Sequence, residues 1–176
     1  MATSTPSPPD DVTAAGPAPR RETLASVAAQ IAAIDTLLSL AQRSIRVFDV
    51  DLSGMGWNGA MRAERIAAFL RDGYGAALRI VVHDTGWIER SCPRLTGLLR
   101  YYGHALTILR TGTSARHAMD PLVIVDDRHF LHRFDAGKPR AAFAIDMPDE
   151  AKPLASRFDE IWADAEPGIN ASVLGL

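Results

Sequence analysis

One cysteine, two lysines and no long apolar run set the first bounds on this chain. Cys92 has no second thiol to pair with, and no metal-type Cys/His spacing surrounds it. A reducing compartment is therefore expected, with the thiol read as a small packed hydrophobe before Pro93. No stretch approaches the roughly 18 apolar residues of a membrane-spanning helix. The N-terminus has neither the charged start nor the apolar stretch of a secretion signal, so the expectation is a cytoplasmic protein with no membrane partner. Excess charge is scarce too: 19 basic and 21 acidic residues give a net charge of -2, which offers no general pull on nucleic acid or anionic lipid. Of the basic residues only Lys138 and Lys152 are lysine, a skew that reads as genomic base composition rather than chemistry.

What is present is an ordinary globular composition, 47% apolar and 23% charged over 176 residues, enough for one domain with a real core. Residues 1–21 are rich in Pro, Ala, Ser and Thr and cannot bury enough surface to offset ordering entropy, so they read as a disordered tail before a single domain over 22–176. From Thr23 to Ala41 apolar residues recur at three- and four-residue steps, predicting an amphipathic helix. Ile45 to Asp51 reads as a strand, followed by a helix capped by Asn58 and ending near Gly73. Leu78–His83 and Ala105–Arg110 are further strands, separated by a helix that Pro93 opens and Gly103 closes. This alternation predicts a parallel sheet with helices packed on it. Then the rhythm changes. Leu122–Val125 and Phe130–Phe134 are short strands joined by a polar turn, Ala141–Ile145 is another, and a helix with Ala151, Leu154, Ala155, Phe158, Ile161 and Trp162 on one face follows Met147-Pro148. The segment 168–176 is expected to dock on the surface. The fold class is α/β, a mixed and mainly parallel sheet flanked by helices.

In open parallel sheets ligands collect beyond the carboxyl ends of the strands. There the first strand delivers Asp49 and Asp51, the second His83 and Asp84, and the loop after the third Arg116 and His117. If the next strand runs back antiparallel, Asp120 joins the same edge. Asp49 and Asp51 are the sharpest pair, since two carboxylates two residues apart repel unless a cation, an arginine or a backbone donor compensates. His129 and His132 alternate with apolar neighbours and read as partly buried sheet residues. Tyr101 and Tyr102 read as core and rim.

The order of elements over residues 23–167, the segment DPLVIVDDRHFLHRF at 120–134 and the FDEIW at 158–162 together resemble one half of the phospholipase D superfamily. That family's hairpin carries His-x-Lys-x-x-x-x-Asp, with histidine as nucleophile, lysine on phosphate and aspartate orienting. With the aspartate on Asp126, Met119 stands at the histidine position and Pro121 at the lysine position. His117 is two residues too early to replace it. Where the family has Gly-Ser and Asn-x-Glu, this chain has His132-Arg133 and Lys138-x-Arg140. The segments CPRLTGLLRYYGH and MDPLVIVDD look most like an uncharacterised bacterial domain of unknown function with this fold, sometimes fused to an acetyltransferase domain. The resemblance implies a module with a degenerate site and no cofactor. It would bind a small anion or a protein partner through His83, Asp84, Arg116, Asp120 and Asp126. Because the superfamily builds its site from two halves, it also implies a homodimer or docking on another domain.

Two alternatives keep a reaction. FDVDLSG at 48–54 resembles the nucleophile loop of haloacid-dehalogenase-like phosphohydrolases, which implies a Mg2+ site, Asp49 as nucleophile and Asp51 as acid/base. Asp84-Thr85 and Asp126-Asp127 would complete that site, and Arg94 would stand in for the missing lysine. The other is a residual metal-independent phosphodiesterase using His117 from each chain of a dimer. Nucleic acid is not expected: residues 110–140 hold six basic residues against four Asp, without interleaved aromatics.

Overall fold

The computed structural model describes residues 16–170. The chain order is β1 (Arg20–Leu24), α1 (Val27–Leu40), β2 (Ser44–Asp49), α2 (Ala60–Asp72), β3 (Ala77–Val82), α3 (Gly86–Ser91) and α4 (Pro93–Tyr102). It continues with β4 (Leu106–Arg110), β5 (Leu122–Val125), β6 (His129–Arg133), β7 (Ala141–Ile145), α5 (Pro148–Ala163) and β8 (Glu166–Ile169). All eight strands join one mixed sheet in the order β1-β7-β6-β5-β2-β3-β4-β8. The parallel pairings are confined to β2, β3 and β4; the other five are antiparallel.

The first helix begins later than its periodicity predicts. Ser26 is extended and its Oγ accepts from the Ala29 N–H at 3.1 Å, a side-chain cap that starts the helix at Val27. That frees Arg20–Leu24 to pair antiparallel with β7 at the sheet edge, so Arg20 and Arg21, assigned to the tail by composition, belong to β1. Residues 1–15 and 171–176, including most of the proposed tail and C-terminal docking segment, lie outside the described residues. Asn58 does not cap α2. Gly59 holds that position, and the Asn58 Oδ1 accepts instead from the Arg94 N–H. The short helix α3 and the edge strand β8 had no sequence signal. At Gly168 in β8 an added Cβ would meet the Ile108 carbonyl at 2.6 Å, so only glycine lets this strand approach β4.

The hairpin forms as predicted. Asp126 and Asp127 take φ of 52° and 56°, the primed-turn conformation that aspartate tolerates. Strand alternation splits the core into two layers. Ile45, Val47, Ile80, Val123 and Leu131 face α1, α2 and α4. Phe48, Val81, Leu122, Ile124 and Phe130 face α5. The Phe158 side chain on α5 is fully buried, a contribution of about 2 kcal/mol, and stacks on Trp162 with ring centroids 5.7 Å apart. No helix among the described residues is long and apolar enough to cross a membrane. Tyr102 is half-buried, but Tyr101 is 82% exposed and belongs to neither core nor rim.

Candidate functional site

The carboxyl edge of β2 and β3 gathers the predicted polar rim, and the pleat divides it into two compartments. Asp49 follows Val47 on the α1 side of the sheet, and Arg133 follows Leu131 on the same side. Both are buried, at 7% and 8% exposure, with Arg133 Nη1 3.7 Å from Asp49 Oδ1. Asp49 Oδ1 also accepts from the Val50 N–H at 2.7 Å, and Arg133 Nη2 donates to the Ala136 carbonyl at 2.7 Å. Burial is the largest influence on Asp49 and pushes its carboxyl up to about 6; Arg133, the Val50 N–H and His83 oppose that, and Asp51 adds to it. Beside the pair lies a cavity of about 10 Å³ whose lining includes Met55, Trp57, Pro121 and Leu131, room for about one water molecule.

The loop 50–59 closes this compartment. Leu52, Met55 and Trp57 turn inward and are buried, helped by positive φ at Leu52, Gly54 and Gly56. Arg62 on α2 clamps the loop: its Nε donates to Asp35 at 2.8 Å, its Nη1 to the Met55 carbonyl and its Nη2 to the Ile31 carbonyl. Its guanidinium lies over the Trp57 ring at 5.2 Å. Asp51, the second of the paired carboxylates, turns away and accepts from the Ser53 N–H.

On the α5 side, Asp120 receives a two-pronged ion pair from Arg157 at 2.7 and 2.6 Å, with His132 Nε2 3.6 Å away. Burial lowers the His132 pKa more than Asp120 raises it, so the ring is neutral near pH 7. His83 is fully engaged. Its Nε2 lies 2.7 Å from the Ala118 carbonyl, which only accepts, so Nε2 carries the proton and Nδ1 faces the Thr111 hydroxyl at 2.8 Å. Both nitrogens thus pin the 111–121 loop. Arg116 and His117 ride exposed on it, and His117 borders an open depression with Ser114, Arg157 and Glu160.

Two predicted ligands leave the site. Asp84 is exposed and accepts from the Gly86 N–H at 2.8 Å, a turn that leads into α3. Asp126 lies at the opposite edge of the sheet, because β5 runs antiparallel to β2 and pairs Val125 with Ile45. Its carboxylate accepts from the Gln42, Arg43 and Ser44 N–H groups, each at 2.8 Å. This corrects the dehalogenase-like alternative: Asp126 and Asp127 cannot share a cation with Asp49. Among the described residues no group of three His, Cys, Asp or Glu side chains is placed to hold a metal ion. The residues that sequence reasoning missed are Trp57, Arg62, Arg133 and Arg157. Strand alternation after Leu131 was the available signal for Arg133, but nothing in the sequence marked the other three.

Residues 26–174 match the model of a family described as Domain of unknown function (DUF7931). Among solved structures the chain is similar to a phospholipase D family member, Nuc from Salmonella typhimurium. That likeness has a TM-score of 0.60 and 17% identity over 85% of this chain and 97% of that one. NucT from Helicobacter pylori is similar with a TM-score of 0.58 and 13% identity, over 86% and 100%. TrmBL2, an archaeal chromatin protein whose structure shows a novel mode of DNA binding, is similar with a TM-score of 0.64 and 13% identity. There 89% of this chain corresponds to 57% of that one. At these identities the likeness is one of fold. No curated protein matches the sequence.

Proposed function

Because the chain belongs to the DUF7931 family, a domain of unknown function on a phospholipase-D-like fold, we propose that it is a binding module without phosphoryl chemistry, assembling with a second copy through its carboxyl-edge rim. The observation that carries this is the content of the motif positions. Exposed Met119 and buried Pro121 stand where the resemblance places histidine and lysine, and Pro121 lines a cavity no larger than a water. A phosphate group has no room there, and Arg133 is already engaged by Asp49. Met119 and Phe134 are each 46% exposed and stand on adjoining segments, where the Ala136 N–H donates to the Met119 carbonyl at 2.7 Å. Apolar side chains standing out beside a polar rim suit a protein interface.

The fold shared with TrmBL2, a DNA-binding chromatin protein, weighs against dismissing nucleic acid altogether. The rim itself is poorly suited to a polyanion, because Asp49 and Asp120 neutralise its two central arginines.

The test is a phosphate-ester assay on purified protein, monoester and diester, each with magnesium and with chelator, alongside sedimentation at tens of micromolar. The expected result is no turnover in any arm and a dimeric mass that Phe134→Asp reduces to a monomer. Magnesium-dependent monoester cleavage lost in Asp49→Asn would overturn the reading, as would metal-independent diester cleavage lost in His117→Ala. A monomeric parent would remove the assembly claim.

A further inference from the structure

Helix α1 ends without the closure that helices commonly receive. Ala41, just past its last residue, is extended, and the next two N–H groups in the chain, those of Gln42 and Arg43, turn to the Asp126 carboxylate instead of back to the helix. The carbonyls of Leu38, Ser39 and Leu40 consequently have no backbone donor among the described residues. They form the negative pole of the helix, and no basic side chain stands in its last turn to offset it.

Beyond that pole, at the amino edge of the sheet, lies a cleft of about 240 Å³ walled by the end of α1, the β5–β6 turn and Gly16–Pro17. The turn brings hydrogen-bond donors to it. His129 is only 4% exposed. Its Nδ1 accepts from the Asp146 N–H at 2.8 Å, and because an amide only donates, the ring hydrogen sits on Nε2. That Nε2–H has no partner among the described residues and stays open to the cleft that the ring lines. Arg43 and Arg128 line the cleft too. Arg128 Nε lies 3.2 Å from Asp146, with half of its side chain still exposed. Arg43 is exposed and has no ion-pair partner among the described residues. The carboxylate in the lining, Asp126, is already held by three backbone N–H groups.

Charges of both signs therefore face one space. A simple anion would gain the donors but meet the carbonyl pole and Asp126, and a simple cation would gain the pole but meet two arginines. A molecule carrying both charges satisfies both. The volume is below the roughly 300 Å³ at which drug-sized pockets begin, so the cleft suits a ligand of few heavy atoms. We infer that it is a binding site for a small zwitterion, an amino acid or dipeptide, with the ammonium on the α1 carbonyls and the carboxylate on His129 Nε2–H, Arg43 and Arg128.

The cleft lies at the opposite edge of the sheet from the rim, so this inference and the rim reading fail independently. The test titrates the full chain with each common amino acid and with glycylglycine up to about 10 mM, read by the His129 ring resonances in NMR spectra and by the thermal midpoint. At least one is expected to saturate, to move the His129 Nε2 resonance and to raise the midpoint. Its N-acetyl form, which lacks the ammonium, and its amide, which lacks the carboxylate, are each expected to bind at least about tenfold more weakly. Arg43→Ala is expected to weaken binding by about the same factor. Because Arg43 is exposed, that variant should keep the parent's thermal midpoint without ligand. Phe134→Asp at the rim is expected to leave binding unchanged.

Absence of saturation by every ligand would overturn the inference. So would saturation that leaves the His129 ring unmoved, or an Arg43→Ala variant that binds like the parent. Equal affinity for the N-acetyl form would make the cleft an anion site, and equal affinity for the amide a cation site; either result overturns the zwitterion reading.

Discussion

Asp49 and Arg133 face each other at 3.7 Å across the carboxyl edge of the sheet, both withdrawn from water. That separation is too long for a hydrogen bond, so their attraction offsets only part of the cost of burying the carboxylate. The Asp49 carboxyl consequently titrates near 6 rather than 3.8.

A raised carboxyl pKa means that the folded state holds its proton more tightly than the unfolded chain does. Below about pH 3.8 both states are protonated and Asp49 costs nothing; above about 6 both are ionised and the full cost applies. Stability therefore falls on account of Asp49 as pH rises through that window, by on the order of 3 kcal/mol. His129 and His132 act in the opposite sense, because burial lowers their pKa from 6.5, and their contribution is lost as pH falls. Comparing the parent with Asp49→Asn cancels the histidines. The unfolding free energy of the variant relative to the parent is expected to rise by about 2–3 kcal/mol between pH 4 and pH 7 in urea titrations. Parallel pH profiles would show that the carboxyl is not perturbed.

Asp126 is a structural clamp at the other edge of the sheet. It ties the hairpin turn to the start of β2 through three backbone N–H groups and sits at a φ of 52°. Asp126→Ala leaves those donors without their acceptor and adds left-handed strain, at an expected cost of about 2–4 kcal/mol. Asp126→Asn keeps the backbone tolerance and one acceptor oxygen, so about half that loss is expected. Chemical unfolding separates the two, and an Asn variant as unstable as Ala would assign the clamp to charge alone.

The sequence made the elements legible wherever periodicity was long or turn chemistry specific. The α1, α2, α4 and α5 helices, the hairpin and the alternating strands all carry such signals. It was silent on α3 and β8, whose six and four residues are too short for a period to show. Composition alone could not rescue β1, because four of the five residues of RRETL are exposed at the sheet edge, where the strand is held by backbone pairing with β7. For the site, the predicted edge was correct for Asp49, His83 and Asp120 and failed for Asp126. Strand direction decides that placement, and hydrophobic pattern does not encode it. Trp57 and Arg62 escaped notice because an aromatic in a glycine-rich loop and an arginine on a helix look like surface. Only the fold shows that one roofs the site and the other clamps the roof.

Arg62 is almost wholly buried and satisfies its guanidinium with Asp35, the Met55 carbonyl and the Ile31 carbonyl. A lysine reaches one such acceptor at a time and cannot lie flat over Trp57. Arg62→Lys is expected to cost about 3 kcal/mol and to loosen the 50–59 loop, read in a background with Trp87 and Trp162 replaced by Phe as a red shift in Trp57 emission as water reaches the ring. A variant that loses stability without that shift would place the effect on α1–α2 packing instead.

Two glycines offer opposite outcomes for the same substitution. At Gly97, inside α4, an added Cβ meets nothing within 4 Å, so Gly97→Ala gains helix propensity and is expected to stabilise by about 1 kcal/mol. At Gly112 the methyl would run into the carbonyl and carboxylate of Asp164. That carboxylate also accepts from the Ser114 N–H at 3.1 Å and hydroxyl at 2.5 Å, which holds the 111–121 loop against the end of α5. Gly112→Ala is expected to cost about 1–3 kcal/mol and to displace the loop. The displacement would break the His83 contacts to Thr111 and Ala118. The His83 ring resonances would then move in NMR spectra of Gly112→Ala and stay in place in Gly97→Ala. An unmoved His83 in the destabilised variant would show that the histidine does not depend on the loop being docked.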